Sequence, residues 1–230
     1  RRLFHGGFSP EPLALRRGFL LEPWIAGMPA GRDAILARLP GYLAFRACEL
    51  PAGDPGATLE TLQEMAVHNA RELCGQDIAW RLQERLDQAV GQLPDPWPVH
   101  VDARLHPWEW RMDPNGRLWK TDAVDHAEAH DLIGPQDIAW DVAGAVVEYN
   151  LPPAAAQELA AGISSPSALE VFGIHYAAFQ GGSWAMAEAQ AGGDEGVRIQ
   201  RHRRRYTTYL RSAAGEPVAT DAASARGLHA

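Results

Sequence analysis

The stretch Val99 to Trp110, VHVDARLHPWEW, holds two histidines, an aspartate, an arginine, a glutamate and two tryptophans. Asp122, Asp125, His126, His130 and Asp131 follow soon after, so four of the nine histidines fall in this short region beside several carboxylates. Carboxylates and imidazoles at this density are the groups that hold divalent ions and move protons. His126 and His130 are four apart and would share one face of a helix, as a zinc pair does. No H-E-x-x-H glutamate stands between them, and a polar surface loop is the expectation. Arg104 and Glu109 can equally pair with each other across a turn. Trp108 could stack on a flat ligand, whereas Trp110 and Trp119 are expected in the core.

The elements that must position these groups can be read from composition and periodicity. The chain has 230 residues, is 46% hydrophobic and carries a net charge of −8, enough for a real core and unsuited to neutralising a phosphate backbone. No nucleic-acid partner is therefore expected. Arg198, Arg201 and Arg203 to Arg205 form one basic run, expected to be a solvated helix face. Two cysteines outside any C-x-x-C pattern suggest neither a disulfide framework nor a thiolate zinc site, so the cytoplasm is the expected compartment. The apolar runs are too short to span a bilayer.

Leu13 to Leu15 and Phe19 to Trp24 flank Arg16-Arg17-Gly18 and read as a β-hairpin. Ala26 to Pro29 breaks the pattern. Ile35, Leu36 and Leu39 then predict one helical face, with a second set after Pro40 through Leu43, Ala44 and Ala47. Thr58 is placed to cap an amphipathic helix that Gly75 closes, and another helix spans about Asp77 to Leu93. Val99 to Asp102 reads as a short strand. Trp108 to Met112 and Arg117 to Thr121 flank the turn Asp113-Pro114-Asn115-Gly116. Helices are predicted again over 137–149, 153–161, 167–190, with a kink at Gly181-Gly182, and 195–212; Phe172, Tyr176 and Phe179 lie on a core stripe. The pentapeptide QDIAW occurs at 76–80 and 136–140 and is taken as two helix starts, Asp77 and Asp137 each near a helix N-terminus.

The order His100-x-Asp102, Leu105-His106-Pro107, an Asp-Pro-Asn-Gly hairpin, Asp122-x-x-Asp125 and Asp137-Ile-Ala-Trp-Asp141-Val-Ala resembles the aminoglycoside phosphotransferase and choline kinase group of the protein-kinase-like fold. Gly18 to Gly27 is similar to that group's hinge strand. The resemblance implies an α+β protein-kinase-like fold: a remnant of the N-terminal lobe and hinge over 1–27, a helical lobe carrying the catalytic-loop hairpin over 28–214, and a tail over 215–230. It also implies ATP and Mg²⁺ as cofactors and transfer of phosphate to a small-molecule hydroxyl. Asp102 would orient and deprotonate that hydroxyl, Asp122, Asp125 and Glu109 would hold Mg²⁺, and Glu22 and Trp24 would sit against the nucleotide. Asp141 would accept hydrogen bonds from the loop backbone.

The chain departs from that pattern in two places. Aligned on His100-x-Asp102, Pro107 stands where the group has a metal-binding asparagine. Aligned on Leu105-His106-Pro107, Arg104 replaces the catalytic aspartate, a group that cannot accept a proton, and Glu109 replaces the asparagine. A two-residue insertion would keep Asp102 as base and Glu109 as ligand. Only about a dozen residues precede the hinge, so the group's glycine-rich loop and strand lysine have no counterpart. Either an upstream segment supplies them or ATP binding has been lost, which leaves a catalytically inactive kinase-fold module as the alternative. A metal-dependent hydrolase built from His100, Asp102, Asp122, His126 and His130 is the weaker alternative.

Overall fold

In the computed structural model the chain begins with one helical turn, α1 (Arg2–His5), and a two-stranded hairpin, β1 (Ala14–Arg16) and β2 (Phe19–Leu21), paired Leu15 to Leu20. The structure describes residues 1–124, 126 and 133–217; Asp125 and His130 lie outside them. The hairpin forms where the alternation places it, with Arg17 and Gly18 both at positive φ in the turn. Its side chains Leu15 and Phe19 are largely exposed.

Ala26 to Pro29, read from sequence as a break, instead contributes a strand. β3 (Met28–Pro29) adds to the loop hairpin of β5 (Trp110–Met112) and β6 (Leu118–Lys120), giving the antiparallel order β3-β5-β6. Gly27 permits this approach, because a Cβ there would lie 2.0 Å from the Met112 carbonyl oxygen. Arg111 then donates to the carbonyls of Ile25 and Gly27, which fastens the segment before β3 to the hairpin. The hairpin turn is held by Asp113, whose Oδ1 accepts from the Asn115 and Arg117 N–H groups, both at 2.9 Å.

Helix α2 (Arg32–Glu49) runs straight through Pro40, where two separate turn sets were expected. Pro40 deletes one backbone hydrogen bond. Ile35, Leu39, Tyr42 and Leu43 on either side are completely buried, and that burial outweighs the loss. Thr58 caps α3 (Leu59–Cys74) through its Oγ1, 3.2 Å from Thr61 N, and Gly75 separates it from α4 (Gln76–Val90). The expected strand at 99–102 shortens to β4 (Pro98–Val99), which pairs with β7 (Gln136–Asp137), because the His100 carbonyl and the Asp102 and Ala103 N–H groups go to side chains.

Four helices complete the lobe: α5 (Ala139–Tyr149), α6 (Pro153–Ala160), α7 (Pro166–Gln190) and α8 (Gly193–Ala213). Phe172, Tyr176 and Phe179 of α7 surround buried Trp140 of α5, all edge-on. Helix α7 continues without a break through Gly181-Gly182, where a kink is expected from the sequence. Those glycines let α7 lie against α3, since a Cβ at either would come within 2.6 Å of Leu73 or Asn69. Gly144 does the same for α5, where a Cβ would meet the Tyr176 ring at 2.7 Å. Tyr176 cannot yield, being buried and hydrogen-bonded to Glu148. Gly144→Ala is therefore expected to destabilise the protein by about 1–3 kcal/mol, readable as a lower urea midpoint. Among the described residues, no helix is long and apolar enough to cross a membrane.

Candidate functional site

Asp141, one turn into α5, organises the loop that carries the candidate groups. Its Oδ2 accepts from Asp102 N at 2.7 Å and its Oδ1 from Ala103 N at 2.9 Å. Ala103 is at φ 61°, a left-handed conformation uncommon for alanine, and these bonds hold it there. Gln180 of α7 adds a bond to the Ala103 carbonyl. Burial pushes Asp141 up to about 6, against the pull of Arg46.

Asp102 follows at the start of this turn and is fully enclosed. The Tyr42 hydroxyl donates to its Oδ2, Arg46 Nη2 lies 3.4 Å away, and Lys120 Nζ is 3.3 Å away. Burial opposes its ionisation, but the Lys120 and Arg46 charges hold it far below the usual carboxylate range. Arg46 also donates to the carbonyls of His100 and Ala123, tying together the two loops.

Lys120, the chain's only lysine among 21 basic residues, is at the centre. Its fully buried ammonium is 2.8 Å from Glu109 Oε2 and also donates to the Thr121 and Asp122 carbonyls, both at 3.2 Å. Glu109 therefore pairs with Lys120, not with Arg104 as one sequence alternative had it. Burial raises Glu109 while Lys120 pulls it down. Asp122 sits at φ 52° on the open side, about two-thirds exposed.

His126, expected in a polar surface loop, is turned inward. Its side chain is 9% exposed, with Nδ1 3.2 Å from the Asp102 carbonyl oxygen and Nε2 3.1 Å from Asp122 Oδ2. Burial disfavours its charge, yet Asp102 and Asp122 outweigh that and push it up to about 9. Three residues earlier, the Ala123 carbonyl accepts from Arg46.

The structure thus brings Asp102, Glu109 and Asp122 into one cluster with Lys120 and His126. Glu22 is beside it: burial first, and then the Asp122 carboxylate, raise its pKa. Trp24 projects into solvent at 81% exposure, with Arg111 5.2 Å from its ring centroid. Arg104 is half-buried, its N–H 3.4 Å from Asp102 Oδ1 and its charge lowering Asp122. Glu109, Asp122 and His126 each offer a ligand atom within 4.8 Å of the others. That group contains neither Asp102, enclosed by Tyr42, Arg46 and Lys120, nor the exposed His100, so the five-residue cage of the hydrolase alternative does not assemble from its described members.

Sequence reasoning missed Tyr42, Arg46 and Lys120. Only Lys120 left a usable trace, as a lone lysine in a chain that otherwise uses arginine.

A second buried polar group lies behind the loop. Glu148 accepts from Tyr176 at 3.1 Å, Tyr206 at 2.6 Å and Arg205 at 2.5 Å, with His106 Nδ1 3.4 Å away. Arg205 thus leaves the solvated face expected of the basic run. Burial would raise Glu148, but the His106 and Arg205 contacts win and bring it down to about 2. A lowered folded pKa stabilises above the unfolded value near 4.5, and that stability is lost as pH falls from there through about 2. Glu148 is expected to contribute about 3 kcal/mol in this way. In urea titrations, the stability gap between wild type and Glu148→Gln should narrow across that acid window and stay constant above it.

No protein-family model and no curated protein matches this sequence. Solved structures do. A crystal structure of LicA in complex with AMP matches at TM-score 0.62 and 14% identity, covering 92% of this chain and 76% of that one. Choline kinase LicA from Streptococcus pneumoniae matches at TM-score 0.60 and 14% identity, covering 91% and 77%. A choline/ethanolamine kinase family protein from Mesorhizobium loti matches at TM-score 0.53 and 16% identity, covering 92% and 82%. The mostly helical chain with its small sheets therefore has the choline kinase-like form of the protein-kinase-like fold.

Proposed function

We propose that the chain works as a small-molecule phosphotransferase of the kinase-like kind, moving the terminal phosphoryl group of Mg-bound ATP to a hydroxyl. One observation carries this: in a kinase-like fold, Asp102, Glu109 and Asp122 gather around Lys120 and His126, with Glu22 beside them. The donor set suits a divalent ion, since one His126 nitrogen and two carboxylate oxygens lie within 4.8 Å of one another. Asp122 and Glu109 would hold Mg²⁺, with Asp125 as a further carboxylate. When bound, that ion neutralises charge on the phosphate oxygens.

The chain's own groups supply the rest. Lys120 and Arg104 bring positive charge next to the carboxylates, where it offsets charge developing on the transferred group. Glu22 and the exposed Trp24 form the edge against which the nucleotide lies. Asp102 accepts the hydroxyl proton once its carboxylate is released from Lys120 and Tyr42. The acceptor is a small molecule, and a compartment follows from none of these features.

A second reading is favoured by one specific observation. Asp102 is completely enclosed, and the neighbouring half-buried side chain is Arg104, which cannot act as a base. Such a site would bind the metal-nucleotide without turning it over. Incubation of the chain with γ-labelled Mg-ATP and a panel of amino alcohols and amino sugars separates the two. Label moving to an acceptor, and not moving with Asp102→Asn, supports transfer. Binding of nucleotide with no label transferred to any acceptor or to water favours the binding module.

A further inference from the structure

We propose that Glu109, Asp122 and His126 form a mixed carboxylate and imidazole site that takes a first-row transition ion, such as Mn²⁺, in preference to Mg²⁺. The proposal rests on the reading above that the Asp122 side of the cleft is its metal side, and goes beyond it in ligand and in ion.

The imidazole is the informative group. His126 Nε2 is buried, and its contact with Asp122 Oδ2 at 3.1 Å is an ion-pair contact that lacks hydrogen-bond geometry. The carboxylate oxygen therefore lies off the axis along which that nitrogen would donate or accept. Two ligands side by side on an ion with bonds of about 2.1 Å stand roughly 3 Å apart, neither pointing at the other. The His126 and Asp122 atoms have this relation, and Glu109 offers the third atom of the group within 4.8 Å.

The other ring nitrogen is already anchored. His126 Nδ1 lies 3.2 Å from the Asp102 carbonyl oxygen and 3.6 Å from Asp102 Oδ1. A backbone carbonyl or carboxylate on the far nitrogen is the usual device that sets the tautomer and orients a metal-binding histidine. Asp102 is in turn fixed by Tyr42, Arg46 and Lys120, so the ring is held by a rigid frame. Lys120 performs the same service for Glu109.

Ligand type then selects the ion. Mg²⁺ prefers oxygen donors and keeps most of its water, whereas first-row transition ions accept an imidazole nitrogen, Mn²⁺ most weakly and the later ions more strongly.

The test is Mn²⁺ titration of the full chain without nucleotide, followed by electron paramagnetic resonance. Expected are saturable binding, a nitrogen coupling from a bound imidazole, and displacement only by a large excess of Mg²⁺. His126→Gln should erase the coupling and weaken Mn²⁺ at least about tenfold. The wild-type coupling needs no variant, so a misfolded His126→Gln chain leaves the proposal testable. Mn²⁺ bound through oxygen alone, Mg²⁺ bound equally well, or no Mn²⁺ bound at all overturns it. In any of those cases, Mg-ATP binding measured separately decides the phosphotransferase reading on its own.

Discussion

Lys120→Met is expected to destabilise the protein by about 3–5 kcal/mol, because it removes the cation from a site where two carboxylates are buried. In the intact protein the Lys120 ammonium is 2.8 Å from Glu109 and 3.3 Å from Asp102, and none of the lysine side chain is exposed. Methionine has similar bulk, so the loss is electrostatic and not a cavity. Without the ammonium, Asp102 and Glu109 face each other, and Glu109, whose pKa burial already raises, takes up a proton. Adding Glu109→Gln to Lys120→Met should therefore recover part of the loss. Chemical denaturation of the two single variants and the double variant gives the coupling between the residues directly. A Lys120→Met protein within about 1 kcal/mol of wild type would mean that water reaches the cluster.

Asp141→Ala is expected to cost about 2–6 kcal/mol, since it strands two buried N–H donors, each worth about 1–3 kcal/mol when left unpaired. The same two bonds hold Ala103 in its left-handed turn and so set the direction of Asp102. The variant should thus lose site geometry along with stability. Urea unfolding reads the first effect, and loss of Mg-ATP binding under conditions where the variant is still folded reads the second. Asp141→Asn should fall between, because one amide oxygen can still accept while its NH₂ opposes a donor.

Much of this arrangement is legible in the sequence wherever a local rule carries it. Thr58 caps its helix, the Asp113 to Gly116 turn forms, and Asp141 meets the loop backbone. The misreadings share a cause in tertiary contacts that local pattern does not contain. The repeated pentapeptide QDIAW shows this best. In its first copy all five residues are helical and Trp80 is 61% exposed; in its second, Gln136 and Asp137 form strand β7 and Trp140 is fully buried. Pairing with Pro98 and Val99 makes the difference, and those residues are far away in sequence. Pro40 was outvoted by the burial around it, and Gly181-Gly182 answered to close packing on α3.

Within the site, the carboxylates could be named from spacing, but their partners could not. Tyr42 and Arg46 belong to α2, some sixty residues before the loop, and nothing in their own neighbourhood marks them as polar members of a buried network. His126 looked like loop because the group its ring meets, the Asp102 backbone carbonyl, comes from a separate loop. Arg104 and Glu109 sit close in sequence, yet Glu109 pairs with the lysine opposite in the hairpin, where the β5 and β6 register sets Trp110 against Lys120.

The most direct test of the account is calorimetric titration of Mg-ATP into the full chain and into Asp122→Ala. Asp122 is exposed and contributes little to packing, so the variant should fold normally. Saturable binding to the wild-type chain that Asp122→Ala abolishes is the predicted result. Equal binding by both proteins, or heat from neither, would contradict a metal-nucleotide site at Asp102, Glu109 and Asp122.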